Sequence, residues 1–175
     1  MRIRLVAPLI LLCAALAVTV AAQARPPVKA ANHPGFEQFK ALAGDWAGKA
    51  KMDGKEIDAT VTYKVTSGGS AVVETLGPGT AHEMVSVIHP DGDHLVLTHY
   101  CAIGNQPSMK AIESPDSKKI EFKFDHATNM KSDKDMHMHD VTFTFVDKDT
   151  LKAEWTHYTD GKPAGTAVFD FKRKK

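Results

Sequence analysis

The chain has 175 residues, of which 22 are basic and 21 acidic, so its formal charge is +1. This near balance gives no electrostatic reason to expect nucleic acid as a partner. The length is sufficient for one domain with a hydrophobic core.

The N-terminus has the pattern of a secretory signal peptide. Two arginines near the start precede an apolar run over residues 5–20, and the small residues Ala22 and Ala24 stand at positions −3 and −1 of a cleavage site. We therefore predict a cleaved signal peptide over 1–24 and a periplasmic or secreted mature chain.

We expect no stable membrane anchor after cleavage. The apolar run is shorter than the roughly 20 residues that a spanning helix needs. Cys13 follows Leu12, where a lipid-attachment site would have a small residue. Cleavage would remove two of the 22 basic residues and none of the 21 acidic ones, which leaves a formal charge of −1. Cys101 would remain alone, which excludes a disulfide within the mature chain.

Next along the chain come a leader and one short helix. Residues 25–34 are rich in proline and alanine and are predicted to form a flexible leader, so that a single domain would cover 35–175. Phe36 and Phe39 recur at helical spacing, and Gly44 is a good helix stop. We expect a short amphipathic helix that ends before Gly44.

Beyond this helix, apolar and polar residues alternate. The alternation is clearest over 57–65, 120–124, 141–145 and 167–171. A sheet with one buried and one solvent-exposed face is typical of antiparallel strands. Tight turns divide the region into ten segments. Closing the sheet would remove its exposed edges. We therefore predict an all-β fold, a roughly ten-stranded antiparallel up-and-down barrel with one short N-terminal helix. An open sandwich is the alternative.

Chain direction alternates in such a barrel, so its hairpins alternate between two rims. One rim would carry the turns at 53–54, 77–79, 104–107, 127–136 and 160–163. These include the longest loops, so this rim is predicted to be the open mouth. The helix would enter from the opposite rim and close it.

Six histidines belong at the predicted mouth. Five of them alternate in step with the apolar residues that are predicted to face the barrel interior, which we call the inward phase: His99, His126, His137, His139 and His157. The sixth, His82, begins a strand at the same rim. A lone inward histidine is usually satisfied by backbone or water, but several together form a network or hold a ligand. Imidazole binds zinc, copper and haem iron, so the five inward histidines are predicted metal ligands. A one-residue bulge would reverse this phase.

The segment 97–107 has more functional side chains than a hairpin requires. These are His99, Tyr100, Cys101, Asn105 and Gln106. Asn105 also suits a tight turn, so a structural role explains part of the pattern. Cys101 and His99 are weak as a nucleophile and base, because residues i and i+2 of a strand lie parallel and a buried thiol is usually inert. Structural and functional interpretations both stay open.

Residues 39–48, a short helix leading into Leu-x-Gly-x-Trp-x-Gly, resemble the opening of calycin-type barrels. This group includes lipocalins and the ten-stranded nitrobindin-like haem barrels. The resemblance implies that Trp46 closes the barrel floor and that Gly44 and Gly48 permit tight packing there. Nitrobindin-like barrels bind haem through a late histidine, so the resemblance implies His157 as the nearest candidate.

The segment 98–107 is similar to one in exported bacterial proteins of unknown function. Together these patterns favour a binding protein, an exported calycin-like barrel that holds a small apolar or metal-containing ligand. Its cofactor would be haem or a transition metal such as zinc or copper. The alternatives are a metal-assisted enzyme that uses the same histidines, and a filled barrel with a structural or partner role.

Two overlapping sets of residues are predicted to form the ligand site. The cavity walls would come from Trp46, Tyr63, Phe122, Phe143, Trp155 and Phe169. The residues predicted to contact ligand are Trp46, Tyr63, His99, Tyr100, Cys101, Asn105, Gln106 and Trp155.

Overall fold

The computed structural model describes residues 33–112 and 114–175. The predicted signal peptide and most of the predicted leader lie outside these residues. Within them, no helix is long and apolar enough to cross a bilayer.

One helix is followed by ten strands. In chain order they are α1 (Pro34–Ala41), β1 (Gly44–Met52), β2 (Lys55–Thr66), β3 (Ala71–Leu76), β4 (Met84–Asp91), β5 (His94–Tyr100), β6 (Gln106–Ile112), β7 (Lys119–Thr128), β8 (His137–Asp147), β9 (Thr150–Thr159) and β10 (Lys162–Arg173). Each strand pairs antiparallel with the next, and β10 pairs with β1 to close the ring. The predicted ten-stranded up-and-down barrel is confirmed, and the open sandwich is wrong.

Helix α1 plugs one end of the barrel. The imidazole of His33 accepts a hydrogen bond of 3.2 Å from the Gly35 amide, and proline occupies the first turn. Helix α1 therefore begins at Pro34, with His33 as its N-cap. Phe36 and Phe39 are fully buried, and Phe39 packs edge-on against Phe143 at 5.1 Å. The apolar face of α1 therefore completes the hydrophobic core at this end of the barrel.

Arg173, near the end of β10, fastens this plug. Its guanidinium donates to the carbonyls of Ala41 and Ala43 at 2.7 and 2.8 Å, at the C-terminal end of α1. It also lies over the ring of Trp46, 4.3 Å from its centroid. Trp46 is fully buried and donates through its indole nitrogen to the Leu42 carbonyl at 2.8 Å. Trp46 thus lies where the resemblance places it, at the closed end.

The seam between β1 and β10 depends on a glycine. A Cβ atom at Gly48 would lie 1.8 Å from the carbonyl oxygen of Asp170, far inside van der Waals contact. The two backbones therefore approach more closely there than any side chain permits. This is the tight packing that the Leu-x-Gly-x-Trp-x-Gly resemblance implied.

The opposite end has the loops predicted for the mouth. The connections β1–β2, β3–β4, β5–β6, β7–β8 and β9–β10 all lie there, and the longest spans residues 129–136. We call this end the open rim.

Candidate ligand site inside the barrel

Four polar side chains form a continuous row across neighbouring strands. Tyr63 on β2 lies opposite Glu74 on β3, Glu74 opposite Ser86 on β4, and Ser86 opposite His99 on β5. Residues directly opposite in an antiparallel sheet share a face. All four are at most 4% exposed. We call Tyr63, Glu74, Ser86 and His99 the interior polar row.

The alternation of each strand shows that this row faces inward. The residues two positions away on the same strands belong to the hydrophobic core; they are Val61, Val72, Ile88 and Leu97. On β3, β4 and β5 the row lies on the open-rim side of these core residues, whereas on β2 Tyr63 lies on the closed-end side of Val61, opposite Gly44 at the start of β1.

Hydrogen bonds join the members of the row. The Tyr63 hydroxyl donates to a carboxylate oxygen of Glu74 at 2.7 Å. Ser86 Oγ and His99 Nδ1 are hydrogen bonded at 3.0 Å. The Ser86 hydroxyl also stabilises the ionised form of Glu74. Each of the four side chains therefore has at least one partner within the row.

Burial changes the charge of these groups. It raises the pKa of Glu74 above its ordinary value, while hydrogen bonds from Tyr63 and Ser86 oppose that rise. Burial also lowers the pKa of His99 to about 4, so its imidazole is neutral at physiological pH. The pKa of Tyr63 is raised by burial and by the adjacent Glu74 charge, so the phenol keeps its proton.

The imidazole of His99 has one atom without a partner. Its Nε2 is buried and makes no hydrogen bond to any residue in 33–112 or 114–175, although Nδ1 is engaged by Ser86. The ring lies against the indole of Trp155 from across the barrel, with centroids 4.7 Å apart. A buried polar atom without a partner costs about 1–3 kcal/mol, so it marks a place where a bound group would be favourable.

Between the row and the open rim, most inward positions are apolar or small, and His157 on β9 is an exception. Ala50 and Ile57 face each other across β1 and β2, and Ile57 is in phase with Tyr63. Ile57 is nevertheless 59% exposed, and it lies closer to the open rim than Val61, where the pairing of β2 with β3 begins. Cys101 is a free, half-buried thiol whose Sγ lies 4.0 Å from Met84 Sδ.

The inward phase predicted for His126 is wrong. A bulge shifts the register of β6 and β7 between Ser108 and Met109, so that His126 lies opposite Ser108 instead of continuing the inward phase of Phe124. Its side chain is 63% exposed and hydrogen bonds to Asp125 at 2.8 Å. His126 faces solvent.

A second bulge changes the phase of β8. Met138 lies opposite His157 and packs against the core, so His137 lies opposite Tyr158 and His139 is the extra residue of the bulge. The prediction that His137 and His139 follow the inward phase of the strand is therefore wrong.

These two histidines belong to an aromatic cluster at the β7–β8 junction. His139 stacks on Tyr158 with ring centroids 3.7 Å apart and lies 5.0 Å from Phe124. His137 is buried, with Nδ1 at 2.8 Å from the Asp135 carbonyl and Nε2 without a partner. The cluster fills the place where strand pairing between β7 and β8 stops.

The two other histidines predicted at the mouth, His157 and His82, lie on β9 and in the β3–β4 connection. His157 keeps the inward phase and packs on β10, where a Cβ at Gly165 would lie 2.6 Å from its Cε1. His82 is exposed in the β3–β4 connection. In the two described ranges, no three His, Cys, Asp or Glu side chains are arranged to hold a metal ion. The five predicted metal ligands therefore do not form one set.

The segment 97–107 divides into interior and loop residues. Tyr100 is exposed. Asn105 is buried and donates to the Met136 carbonyl at 2.7 Å, which ties two loops of the open rim together. Gln106 donates to the Gly104 carbonyl at 2.9 Å and accepts from the Thr128 hydroxyl. Asn105 and Gln106 thus shape the rim.

Three of the predicted cavity walls belong to the closed end instead, namely Trp46, Phe122 and Phe143. Phe122 and Phe143 are fully buried, and both pack against Phe39 of helix α1. They complete the plug, whereas Tyr63 and Trp155 lie at the interior polar row.

Sequence reasoning missed Glu74 and Ser86 as site residues. Each interrupts an apolar inward phase, Glu74 between Val72 and Leu76 and Ser86 between Met84 and Ile88. A polar residue at an inward position between two apolar ones was the available signal.

Two solved structures share this fold. Rv2717c from M. tuberculosis aligns with a TM-score of 0.57 and 16% identity, over 81% of this chain and 98% of that protein. A protein of unknown function from the DUF3598 family of Nostoc punctiforme aligns with a TM-score of 0.55 and 12% identity, over 78% of this chain. This chain spans about half of the Nostoc protein, at 49%.

The sequence matches no family model and no curated protein. At these identities the two likenesses show the fold alone. With the closed ten-stranded ring, they are consistent with a calycin-like barrel.

Proposed function

We propose that this protein is a calycin-like binding barrel that admits a small, largely apolar molecule through the open rim and hydrogen bonds it to Nε2 of His99. The observation that carries the proposal is the buried imidazole nitrogen without a partner, held against Trp155 inside the barrel. Export to the periplasm or the medium, as the N-terminal pattern predicts, is part of this proposal.

The interior polar row defines what Nε2 offers to a ligand. We assign the Ser86 hydroxyl proton to Glu74, whose ionised form Ser86 favours, and the Nδ1 proton of His99 to its 3.0 Å bond with the Ser86 oxygen. Nε2 then keeps its lone pair. The matching ligand presents an N–H or O–H group to Nε2 and an apolar or aromatic surface to Trp155.

The energy available suits a small ligand. One hydrogen bond to Nε2 contributes about 1 kcal/mol, and burial of apolar ligand surface contributes roughly 25 cal/mol per Å². Affinity would come mostly from apolar contact, while the hydrogen bond would fix orientation.

Titration with N-phenyl-1-naphthylamine, an uncharged apolar probe with one N–H donor, tests the proposal. The matched variants are His99→Phe, which keeps a ring against Trp155 but removes Nε2, and His89→Phe. His89 is half-buried near the closed end, where its Nδ1 contacts the Pro90 carbonyl at 3.1 Å.

The unmodified protein and His89→Phe are expected to bind the probe with equal affinity, and His99→Phe five- to tenfold more weakly, which corresponds to about 1 kcal/mol. Equal affinity in all three proteins would contradict the role of His99. Absence of binding to the unmodified protein would favour the filled barrel.

A further inference from the structure

The barrel interior contains a carboxyl group without an opposite charge nearby. Glu74 is 4% exposed and contacts the neutral side chains of Tyr63 and Ser86. The buried polar residues of the described ranges are Glu74, Ser86, His99, Asn105, Ser108 and His137. None of these is a lysine or an arginine, so no buried basic side chain balances Glu74.

This arrangement disfavours an anionic ligand in either protonation state of Glu74. If Glu74 is ionised, it repels a second negative charge across a medium of low dielectric constant. If Glu74 is protonated, the incoming anion loses its hydration and meets no cation that compensates for the loss. A cationic group is attracted to Glu74 when that side chain is ionised, and an uncharged donor meets neither penalty.

The distance between the two groups sets the size of the effect. Glu74 and His99 lie two strands apart in the same row, which corresponds to about 10 Å at ordinary strand spacing. A unit charge placed at His99 would change the affinity on the order of tenfold at that distance, with the effective dielectric constant typical of proteins.

We infer that the interior site selects by charge: it takes uncharged or cationic amphiphiles with an N–H or O–H donor, and Glu74 excludes carboxylates of the fatty-acid type. This inference rests on the proposed function, because it concerns the ligand bound at His99.

The test compares three ligands with the same chain and different head groups. Dodecanol, dodecylamine and dodecanoate, each below its micellar concentration and near neutral pH, would compete with N-phenyl-1-naphthylamine for the barrel. We expect dodecanol and dodecylamine to displace the probe at concentrations at least tenfold lower than dodecanoate.

Glu74→Gln provides the matched variant, because glutamine keeps the size and can still accept from Tyr63. It should reduce the gap between dodecanol and dodecanoate by five- to tenfold. Glu56→Gln is the control. Glu56 is an exposed carboxylate near the open rim, and its ion pair in the described residues is with Lys51, at 3.4 Å. The Glu56→Gln variant should rank dodecanol, dodecylamine and dodecanoate as the unmodified protein does.

The outcomes separate this inference from the proposed function. Failure of the probe and of all three ligands to bind would overturn both. Dodecanoate binding as tightly as dodecanol, or an unchanged gap in a folded Glu74→Gln variant, would overturn the charge selection and leave the binding function standing. If Glu74→Gln does not fold, as circular dichroism would show, the ranking by the unmodified protein decides.

Discussion

The hydroxyl of Tyr63 donates a 2.7 Å hydrogen bond to Glu74, and both side chains are buried inside the barrel. No buried lysine or arginine occurs in the described ranges, so this bond and the nearby Ser86 hydroxyl are what the protein provides to stabilise the carboxylate. The pair holds one end of the interior polar row in place.

Tyr63→Phe should lower the free energy of unfolding by about 1.5–3 kcal/mol, because it removes a donor from a buried carboxylate. Urea unfolding at neutral pH measures the change. Thr62→Ala is the control, since it removes an exposed hydrogen bond of 2.7 Å to Asp45 from the adjacent residue and should cost less than about 1 kcal/mol. Equal losses in the two variants would show that burial of the pair adds nothing.

The neutral His99 imidazole predicts a pH dependence of stability. The unfolded chain gains a proton near the ordinary pKa of 6.5, whereas the folded protein gains it at about 4. Between these values the unfolded state binds more protons. The contribution is therefore complete above pH 6.5 and decreases as the pH falls to about 4, by roughly 3 kcal/mol in total.

Comparison of the unmodified protein with His99→Phe isolates this contribution. On going from neutral pH to about pH 4, the variant should gain roughly 3 kcal/mol relative to the unmodified protein in urea unfolding. Glu74, whose pKa is raised, acts with the opposite sign in both proteins. His126→Phe serves as control, because that side chain is 63% exposed. If the free energy of unfolding of His99→Phe changed with pH in the same way as that of the unmodified protein, His99 would not be buried as a neutral base.

Gly48→Ala should prevent normal closure of the seam between β1 and β10. The added methyl would lie 1.8 Å from the Asp170 carbonyl oxygen, so the backbone must shift, and we expect a loss of about 3 kcal/mol or more. Gly54→Ala, in the β1–β2 turn, has open space around its Cβ and a φ of +73°, so it should lose only about 1 kcal/mol. Thermal unfolding measures both losses, of which Gly48→Ala reports on the close approach of β1 to β10 and Gly54→Ala on strain in the β1–β2 turn. A loss at Gly48 no larger than at Gly54 would contradict the close approach.

The barrel could be predicted from the sequence because two-residue alternation is a local property. Each inward run, such as 57–65 on β2, shows its phase independently of the rest of the chain, and turn residues mark where direction reverses. Closure then follows from the need to pair the edge strands.

The site could be predicted only in part, because bulges are set by contacts that the sequence does not show. One extra residue near His126 and another at His139 changed the face of three predicted ligands. His99 kept its phase because β4 and β5 pair without a shift. Ser86 and Glu74 lie on other strands, so the meeting of these residues with His99 depended on the register of two strand pairs.

The central claim is that Nε2 of His99 is an unpaired acceptor facing the bound ligand. A two-bond proton–nitrogen NMR spectrum of the histidine rings measures it directly, because it distinguishes the two neutral tautomers and reports on each nitrogen. We predict that His99 carries its proton on Nδ1 and that its Nε2 resonance shifts when N-phenyl-1-naphthylamine binds. A proton on Nε2, or an Nε2 resonance that does not change with the probe bound, would contradict the claim.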